Sequence, residues 1–331
     1  METQVTDNKR NSTIDVLRFV TVFWVAGVTH LLYYADIHVA DSHPSLSFLN
    51  KMMMTALVFI SGFLNGKKSF TNIKSVGLYY KKRFLHTHVP LIIASLLMYG
   101  VYLITQVWLF KNMKCFILTL FGLSGIIRPT PGTLWFILMM LVFYLLTPLF
   151  PYPRKTSLIL LKSAIVYAIL IAVHYRFKLL DERIIMYYPS YILGLLLTGI
   201  KLSKRRSMII LSVSIAVTAV SAFYIEGLTK NIHINSVLLP FTVPVILAFS
   251  ELLSKITRLS KVLAYLGSIS MSVYLFHRHV YILLHYYLGS DFSVPFAYLV
   301  ALPLCIITAV IMDRLLSLLT RPSDFFLRNH Q

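Results

Sequence analysis

The chain has 331 residues, of which 57% are hydrophobic and only 13% are charged, and its formal net charge is +19. A soluble globular domain usually has about a quarter charged residues, and apolar runs of about 20 residues, long enough to cross a bilayer as helices, recur along this sequence. The composition therefore excludes a soluble domain and predicts an all-α, polytopic integral membrane protein. The positive charge does not indicate nucleic-acid binding, because the basic residues lie between apolar runs and report membrane topology.

About ten transmembrane helices are predicted from the apolar runs. In chain order they cover residues 14–34, 47–66, 84–109, 133–150, 158–174, 185–200, 207–225, 236–253, 262–286 and 295–319. Between the third and the fourth, residues 112–132 are expected to lie on the membrane or to dip into it. With the N-terminus inside, 22 of the 31 Lys and Arg residues fall on the inner side and 8 on the outer side, which places both termini in the cytoplasm. We expect one transmembrane domain over residues 1–331 and no soluble C-terminal domain.

The first span carries Arg18 near its start and His30 near its end, although it is otherwise apolar. The rise of a helix separates the two by about 18 Å along its axis. Ionisable groups in a membrane are costly and suggest function, so His30 is a candidate general base near the outer face. Arg18 can equally extend to lipid headgroups, and His30 can equally form a hydrogen bond with a neighbouring helix.

A basic inner loop, residues 65–83, leads into the third span, and its last residues include Lys82 and Arg83, with His86 one turn further on. Basic side chains where a helix starts at the cytoplasmic face are suited to the phosphates of a nucleotide-bearing cosubstrate. The alternative is ordinary anchoring by positive residues at the inner face.

Two later segments also contain polar residues within apolar runs. Trp135 begins the fourth span, where a tryptophan is usual at the membrane interface. The ninth span contains Tyr274 and the run His277-Arg278-His279, with Asp291 and Asp313 as candidate partners for the arginine. An arginine between two histidines inside a membrane requires a polar cavity or partners, and a structural network in the bundle is the alternative.

Cys115 and Cys305 are the two cysteines of the chain, and both are flanked by apolar residues. They are expected to be buried thiols rather than parts of a disulfide framework. No metal-binding motif is present in the sequence, and no metal is expected.

Five segments, in order, resemble motifs of the membrane acyltransferase family 3, many of whose members acylate bacterial surface polysaccharides. They are IDVLRFVTVFWVAGVTH, VFISGFL, YYKKRFLHTHVP, LWFILMMLVFYLLTPL and LGSISMSVYLFH, and they start at Ile14, Val58, Tyr79, Leu134 and Leu266. Each motif is weak, but the five in the family's order cover most of the chain and are fairly specific.

The sequence departs from the family's pattern at two places. Eleven residues separate Arg18 from His30, one more than is usual in the family. Either a π-bulge absorbs the extra residue, or the two side chains need not share a face. His86 stands where relatives often have a second arginine, which weakens the anion site or makes it sensitive to pH.

The resemblance implies transfer of an acyl group, acetyl by default, from cytoplasmic acyl-CoA to a hydroxyl of a surface or lipid-linked glycan such as O-antigen or capsule. It implies a catalytic role for His30 and Arg18, and cosubstrate binding by Arg83, Lys82 and, more weakly, His86. Residues of the later motifs, Trp135, Tyr274 and His277, are assigned to substrate binding. The expected location is the cytoplasmic membrane of a bacterium, with membrane lipid and the glycan as partners.

Two other functions are compatible with the same residues. A transporter or flippase for a polysaccharide intermediate would use intramembrane Arg and His residues as a substrate path, although the paired broken helices typical of transporters are not evident in the sequence. A receptor or assembly protein is the third alternative. Transfer or hydrolysis of acyl-CoA by the purified protein separates the enzyme from both.

Overall fold

Long apolar helices account for most of the structure, as the hydropathy predicts. The computed structural model describes residues 12–37, 44–153, 155–200, 203–223 and 231–320, and these residues form helices and no strands. The helices are α1 (Ser12–Tyr33), α2 (Pro44–Asn65), α3 (Ile73–Thr105), α4 (Met113–Leu120), α5 (Trp135–Leu149), α6 (Thr156–Phe177), α7 (Glu182–Leu197), α8 (Lys204–Phe223), α9 (Ile232–Lys255), α10 (Thr257–Ser268), α11 (Ser270–Leu288) and α12 (Val294–Thr320).

Seven of the described helices are long and apolar enough to cross a membrane, or eight if the bent pair α10–α11 forms one span. The predicted spans at 133–150 and 185–200 correspond to the shorter helices α5 and α7. A multi-pass helical bundle is therefore confirmed, whereas the number ten stays a prediction. Arg18 near the start of α1 and Thr320 at the end of α12 line the same cavity, as expected if the termini share a side; that this side is cytoplasmic also stays a prediction.

The third helix begins well before the predicted third span. Asn72 caps it: the Asn72 side chain accepts a hydrogen bond from the Ser75 backbone N–H at 2.9 Å, and the Ser75 hydroxyl accepts one from the Asn72 N–H at 3.4 Å. This reciprocal capping box satisfies N–H groups that a helix start leaves free. Part of the predicted basic loop is consequently helical, and α3 carries Arg83 directly into a π-helical segment at Phe84–His88. The segment predicted at the membrane surface contains α4.

The ninth predicted span is not continuous. Helices α10 and α11 meet at Ile269 and are bent by 72° relative to each other. Gly267, two residues before the bend, lies directly against α1, since a Cβ at this position would be 1.8 Å from the Asp15 carbonyl oxygen. The break allows α10 to pack on the start of α1, while α11 continues beside the end of α1.

Helices α2 and α7 cross at very short distance through two glycines. A Cβ added to Gly62 would lie 2.1 Å from the Tyr191 carbonyl oxygen, and one added to Gly194 would lie 2.2 Å from the Phe59 carbonyl oxygen. Small residues allow helix backbones in membranes to approach closely. This crossing joins α7 to the part of the bundle that contains the large cavity described below.

We expect Gly62→Ala to destabilise the protein, because the new methyl group meets a backbone oxygen that cannot move without separating α2 from α7. Overpacking of this kind costs about 1–3 kcal/mol, and more where the backbone must shift. The measurement is the temperature at which the monodisperse peak is lost in fluorescence-detected size exclusion. Gly100→Ala is the matched control, because a Cβ at Gly100 has no neighbour within 4 Å; equal midpoints for the two variants would show that the contact at Gly62 is not tight.

Candidate functional site

The extra residue between Arg18 and His30 is accommodated by a change of helix type. Helix α1 is α-helical over Ser12–Val22 and π-helical over Phe23–His30. A π-helix has i→i+5 hydrogen bonds and wider turns, so it takes up additional residues without leaving the helix. Of the two alternatives that the spacing left open, the π-bulge is the one observed. Such bulges are frequent at functional sites.

His30 contacts His277 of α11 at the end of the π-helical segment. Nδ1 of His30 lies 2.7 Å from Nε2 of His277, and the two rings are within 8° of parallel with centroids 5.0 Å apart. His277 is completely buried, whereas His30 remains partly accessible. The structure thus pairs the predicted catalytic histidine with a residue that the sequence assigned to substrate binding.

The hydrogen bonds of His277 determine which nitrogen of His30 is free. Nδ1 of His277 lies 2.8 Å from the Tyr274 carbonyl oxygen and 3.2 Å from that of Val273. A carbonyl oxygen only accepts, and a neutral imidazole has one donor and one acceptor nitrogen. In neutral His277, Nδ1 therefore carries the hydrogen and Nε2 accepts from Nδ1–H of His30. Neutral His30 is left with the lone pair on Nε2, as a general base requires.

A cavity of about 550 Å³ opens between α1, α2, α3, α5, α11 and α12. Its volume is within the usual range for small-molecule sites, about 300–1,000 Å³. The polar residues that line it include Arg18, His86, Ser270, Ser272, Tyr274 and Asp313. Arg18 pairs with the buried Asp15 carboxylate at 3.2 Å, and the Ser272 hydroxyl donates to Asp313 at 3.0 Å.

Tyr274 lies between this cavity and the histidine pair. Its hydroxyl donates to the Thr133 carbonyl oxygen at 2.6 Å, and its ring contacts Phe136 and His277 with centroids 5.4 and 6.0 Å away. These contacts hold Tyr274 in place, so the cavity ends one helical turn before His277. The cavity therefore extends from Arg18 to Tyr274, whose ring contacts that of His277.

The three basic residues predicted to bind the cosubstrate at the start of the third span do not all lie at the large cavity. His86 lines the cavity, whereas Arg83 and Lys82 do not. The Arg83 guanidinium donates a hydrogen bond to the side chain of buried Asn65 and lies over the Tyr144 ring, 4.4 Å from its centroid. Tyr144 itself lines the cavity, so Arg83 supports the cavity wall from behind, while Lys82 is exposed.

Trp135 does not line the large cavity, although its neighbours Phe136 and Ile137 do. The Arg183 guanidinium lies 4.3 Å from the centroid of the Trp135 ring, which stacks on Tyr187 at 6.0 Å and 17°. Arg183 also lines a second cavity of about 310 Å³ at the opposite end of α5 and α7 from Tyr144 and Gly194. A substrate that contacts Trp135, as the resemblance predicts, would therefore lie at this end of the bundle and not in the large cavity.

Asp181 illustrates the electrostatics at that second cavity. It caps α7 and receives hydrogen bonds from the Arg183 backbone N–H at 2.9 Å and the Arg183 Nε at 2.6 Å. Burial opposes ionisation of this carboxyl, but the hydrogen bonds and the charge of Arg183 outweigh burial and hold the pKa of Asp181 below its usual value. The Asp181 carboxylate is thus ionised and bound by Arg183 within the protein.

Sequence reasoning missed several polar residues at the large cavity. Asn65 fixes Arg83, and Ser270, Ser272 and Asp313 line the cavity wall. Asp313 was considered only as a partner for Arg278, although an acid inside an apolar span can itself indicate a functional site. The serines gave no such signal. Among the residues that the structure describes, no group of three or more His, Cys, Asp or Glu side chains is placed to hold a metal ion.

A bundle of membrane-length helices whose internal cavity reaches Tyr274, beside a hydrogen-bonded histidine pair, defines an integral membrane protein with an intramembrane reaction or binding site. The family comparison specifies the class: the model of acyltransferase family 3, described as an acyltransferase domain, matches residues 11–314. The chain belongs to this family of membrane acyltransferases. No curated protein and no solved structure matches the chain. The family match supports an enzyme over a transporter or a receptor.

Proposed function

We propose that this acyltransferase takes an acyl group, acetyl by default, from cytoplasmic acyl-CoA and transfers it across a bacterial cytoplasmic membrane to a glycan hydroxyl. The acceptor class is a surface or lipid-linked glycan such as O-antigen or capsular polysaccharide. The observation that carries the proposal is the large cavity, which is lined by Arg18 and His86 and reaches Tyr274, one helical turn before His277 of the histidine pair. A donor bound from one face would present its thioester near a base that faces the other side.

The donor end of the cavity is suited to a phosphorylated molecule. Arg18 and His86 line it, and exposed Lys82 is close in the chain to His86. Guanidinium and ammonium groups form charge-assisted hydrogen bonds with phosphate oxygens. The apolar wall formed by Leu57, Ile137 and Met140 would accommodate the extended pantetheine arm. The larger nucleotide part would remain at the cytoplasmic surface.

The reaction follows from the free lone pair on Nε2 of His30. His30 removes the proton from the acceptor hydroxyl while the hydroxyl oxygen forms a bond to the thioester carbonyl carbon. The tetrahedral intermediate collapses, the carbon–sulfur bond breaks, and the CoA sulfur receives the proton from His30. The products are the acylated glycan and CoA, and His30 returns to its initial state. This direct route requires no covalent acyl-enzyme.

Two single cysteine variants test the donor site and its sidedness together. Ser317→Cys places a thiol in the large cavity, and Ser290→Cys places one in the exposed turn after α11, at the opposite end of the bundle. We expect acetyl-CoA or CoA to slow alkylation of the purified Ser317→Cys protein by a maleimide at least about tenfold, and to leave Ser290→Cys unaffected. The wild-type protein is the blank, because Cys115 and Cys305 are 0% and 1% exposed.

On intact cells with a permeable outer barrier, an impermeant maleimide should label Ser290→Cys, and it should label Ser317→Cys only after the cytoplasmic membrane is opened. Labelling in the reverse order would invert the topology and remove the cavity from the compartment that contains acyl-CoA. Equal alkylation of Ser317→Cys with and without CoA would place the donor site elsewhere.

A further inference from the structure

One face of α11 is turned toward α1 along most of its length. Residues 274, 277, 278, 281 and 285 share this face, because they follow one another at helical spacings of three and four. His277 contacts His30, and the rings of Tyr281 and His285 contact the ring of Tyr34 with centroids 6.0 and 5.6 Å apart. Arg278 therefore extends into the space between the two helices rather than toward lipid.

The Arg278 guanidinium lies close enough to His30, His277 and Tyr34 to interact with each of them electrostatically. Its Nε is buried without a hydrogen-bond partner. Neither of the acids considered from the sequence, Asp291 and Asp313, forms an ion pair with it, and within the described part of the chain no other carboxylate does. The Asp313 carboxylate instead accepts from Ser272 at the large cavity.

A cation inside a membrane protein without an anionic partner is costly, and such residues usually serve a substrate or ion. Two other arginines in membrane-length helices are paired or engaged within the protein. Arg18 pairs with Asp15, and Arg83 is held by Asn65 and Tyr144. Arg278 is different because the described residues around it are the histidine pair and a tyrosine, with no carboxylate paired to it, so its counter-charge is expected from a molecule that binds there.

The position of Arg278 along the bundle indicates whether the donor or the acceptor carries the anionic group that pairs with it. The large cavity ends at Tyr274, and His277 lies one turn beyond it. Tyr34, which lies near Arg278, follows His30 by about one turn toward the end of α1 that is remote from Arg18. Arg278 is thus on the far side of the histidine pair from the donor cavity, where an acceptor would approach.

We propose that Arg278 binds an anionic group of the acceptor, so that the glycan acylated by this protein is acidic. A carboxylate of an acidic sugar and a phosphate of the glycan or its lipid carrier have the same chemistry, since both accept two parallel hydrogen bonds from a guanidinium. The contact would hold the acceptor hydroxyl near Nε2 of His30. This inference rests on the proposed acyl transfer and specifies its acceptor class.

Purified protein, radiolabelled acetyl-CoA and deacylated cell-envelope glycan from the producing cells provide the test. We expect Arg278→Gln to raise the KM for the glycan about 10- to 100-fold, the range for a lost hydrogen bond to a charged group, with little change in the KM for acetyl-CoA. The glycan KM of Arg278→Lys should lie between those of the wild type and Arg278→Gln, because lysine keeps the charge but not the planar pair of donors. Arg176→Gln is the control, since it removes an exposed cation from the end of α6.

The labelled product identifies the anion. It should be retained on an anion exchanger at neutral pH. Loss of retention after chemical reduction of carboxyl groups would assign a carboxylate, and retention after that treatment would assign a phosphate; either result supports the proposal.

Three results would overturn this inference. A labelled but neutral glycan would support acyl transfer but would show that the acceptor is not acidic. A loss of kcat in Arg278→Gln at unchanged glycan KM would assign Arg278 to the transition state instead of to the acceptor. Absence of any labelled glycan with wild-type protein would contradict the proposed function itself, and the inference with it.

Discussion

His30→Ala should fold and insert like the wild type but lose acyl transfer. The substitution removes the imidazole whose free Nε2 is directed by the hydrogen bond to His277, and loss of a general base typically lowers the rate about 10²–10⁴-fold. The measurement is transfer of radiolabel from acetyl-CoA to cell-envelope glycan by purified protein at matched concentration, with the elution profile in size exclusion as the test of folding.

His233→Ala is the matched control for His30→Ala. His233 is exposed and lies at the start of α9, where it contacts Tyr175, and its removal should leave transfer within about twofold of wild type. If His30→Ala retained activity comparable to that control, the base would be another group, and the role assigned to the His30–His277 pair would be wrong.

The second large effect is expected at His277, which we regard as a positioning residue. In His277→Leu, Nδ1–H of His30 has no acceptor, so the His30 ring is free to rotate and to exchange its proton between the two nitrogens. Partners that orient a histidine at metal sites are worth about 10–100-fold, and we expect a fall in kcat of that size with the KM for acetyl-CoA almost unchanged. The kinetics of acyl transfer over a range of acetyl-CoA concentrations provide the measurement.

His277→Gln distinguishes positioning from simple packing. The amide oxygen of glutamine can accept the hydrogen bond from His30, whereas leucine fills space without accepting it. Activity should therefore rank wild type, then Gln, then Leu, while thermal stability need not follow that order. Equal activity of the Gln and Leu variants would mean that His277 contributes only packing. An increase in acetyl-CoA KM without loss of kcat would return His277 to the substrate-binding role predicted from the sequence.

Two features of the structure depend only on contacts within a single helix. The spacing between Arg18 and His30 was one residue too long for the family pattern, and the extra residue is taken up by π-helical turns at Phe23–His30. The capping box at Asn72 and Ser75 is also a local feature that the sequence contained, although the segment was interpreted as a loop. In both cases the deciding hydrogen bonds join residues only a few positions apart.

The cavity and its surroundings required the assembled bundle. The sequence placed Arg83 with a phosphate-binding cluster, but its guanidinium is held by Asn65, 18 residues earlier, and by Tyr144 on α5. The break at Ile269, beyond which Ser270 and Ser272 line the cavity, lies two residues after Gly267, which packs directly against the Asp15 backbone. Contacts of this kind depend on how separate helices pack, and one sequence carries no periodic signal for them.

The sequence by itself determined that this protein is a helical membrane bundle of the acyltransferase type, because hydropathy over about 20 residues and short motifs are local properties. It also singled out Arg18, His30, Tyr274 and His277. Only the tertiary structure decided that His30 and His277, 247 residues apart, share a hydrogen bond, and that Arg278 lies near them and forms no ion pair with a carboxylate of the described residues. The physical reason is that a hydrogen bond between helices requires both side chains to reach one point in space, and the packing of the whole bundle determines that point.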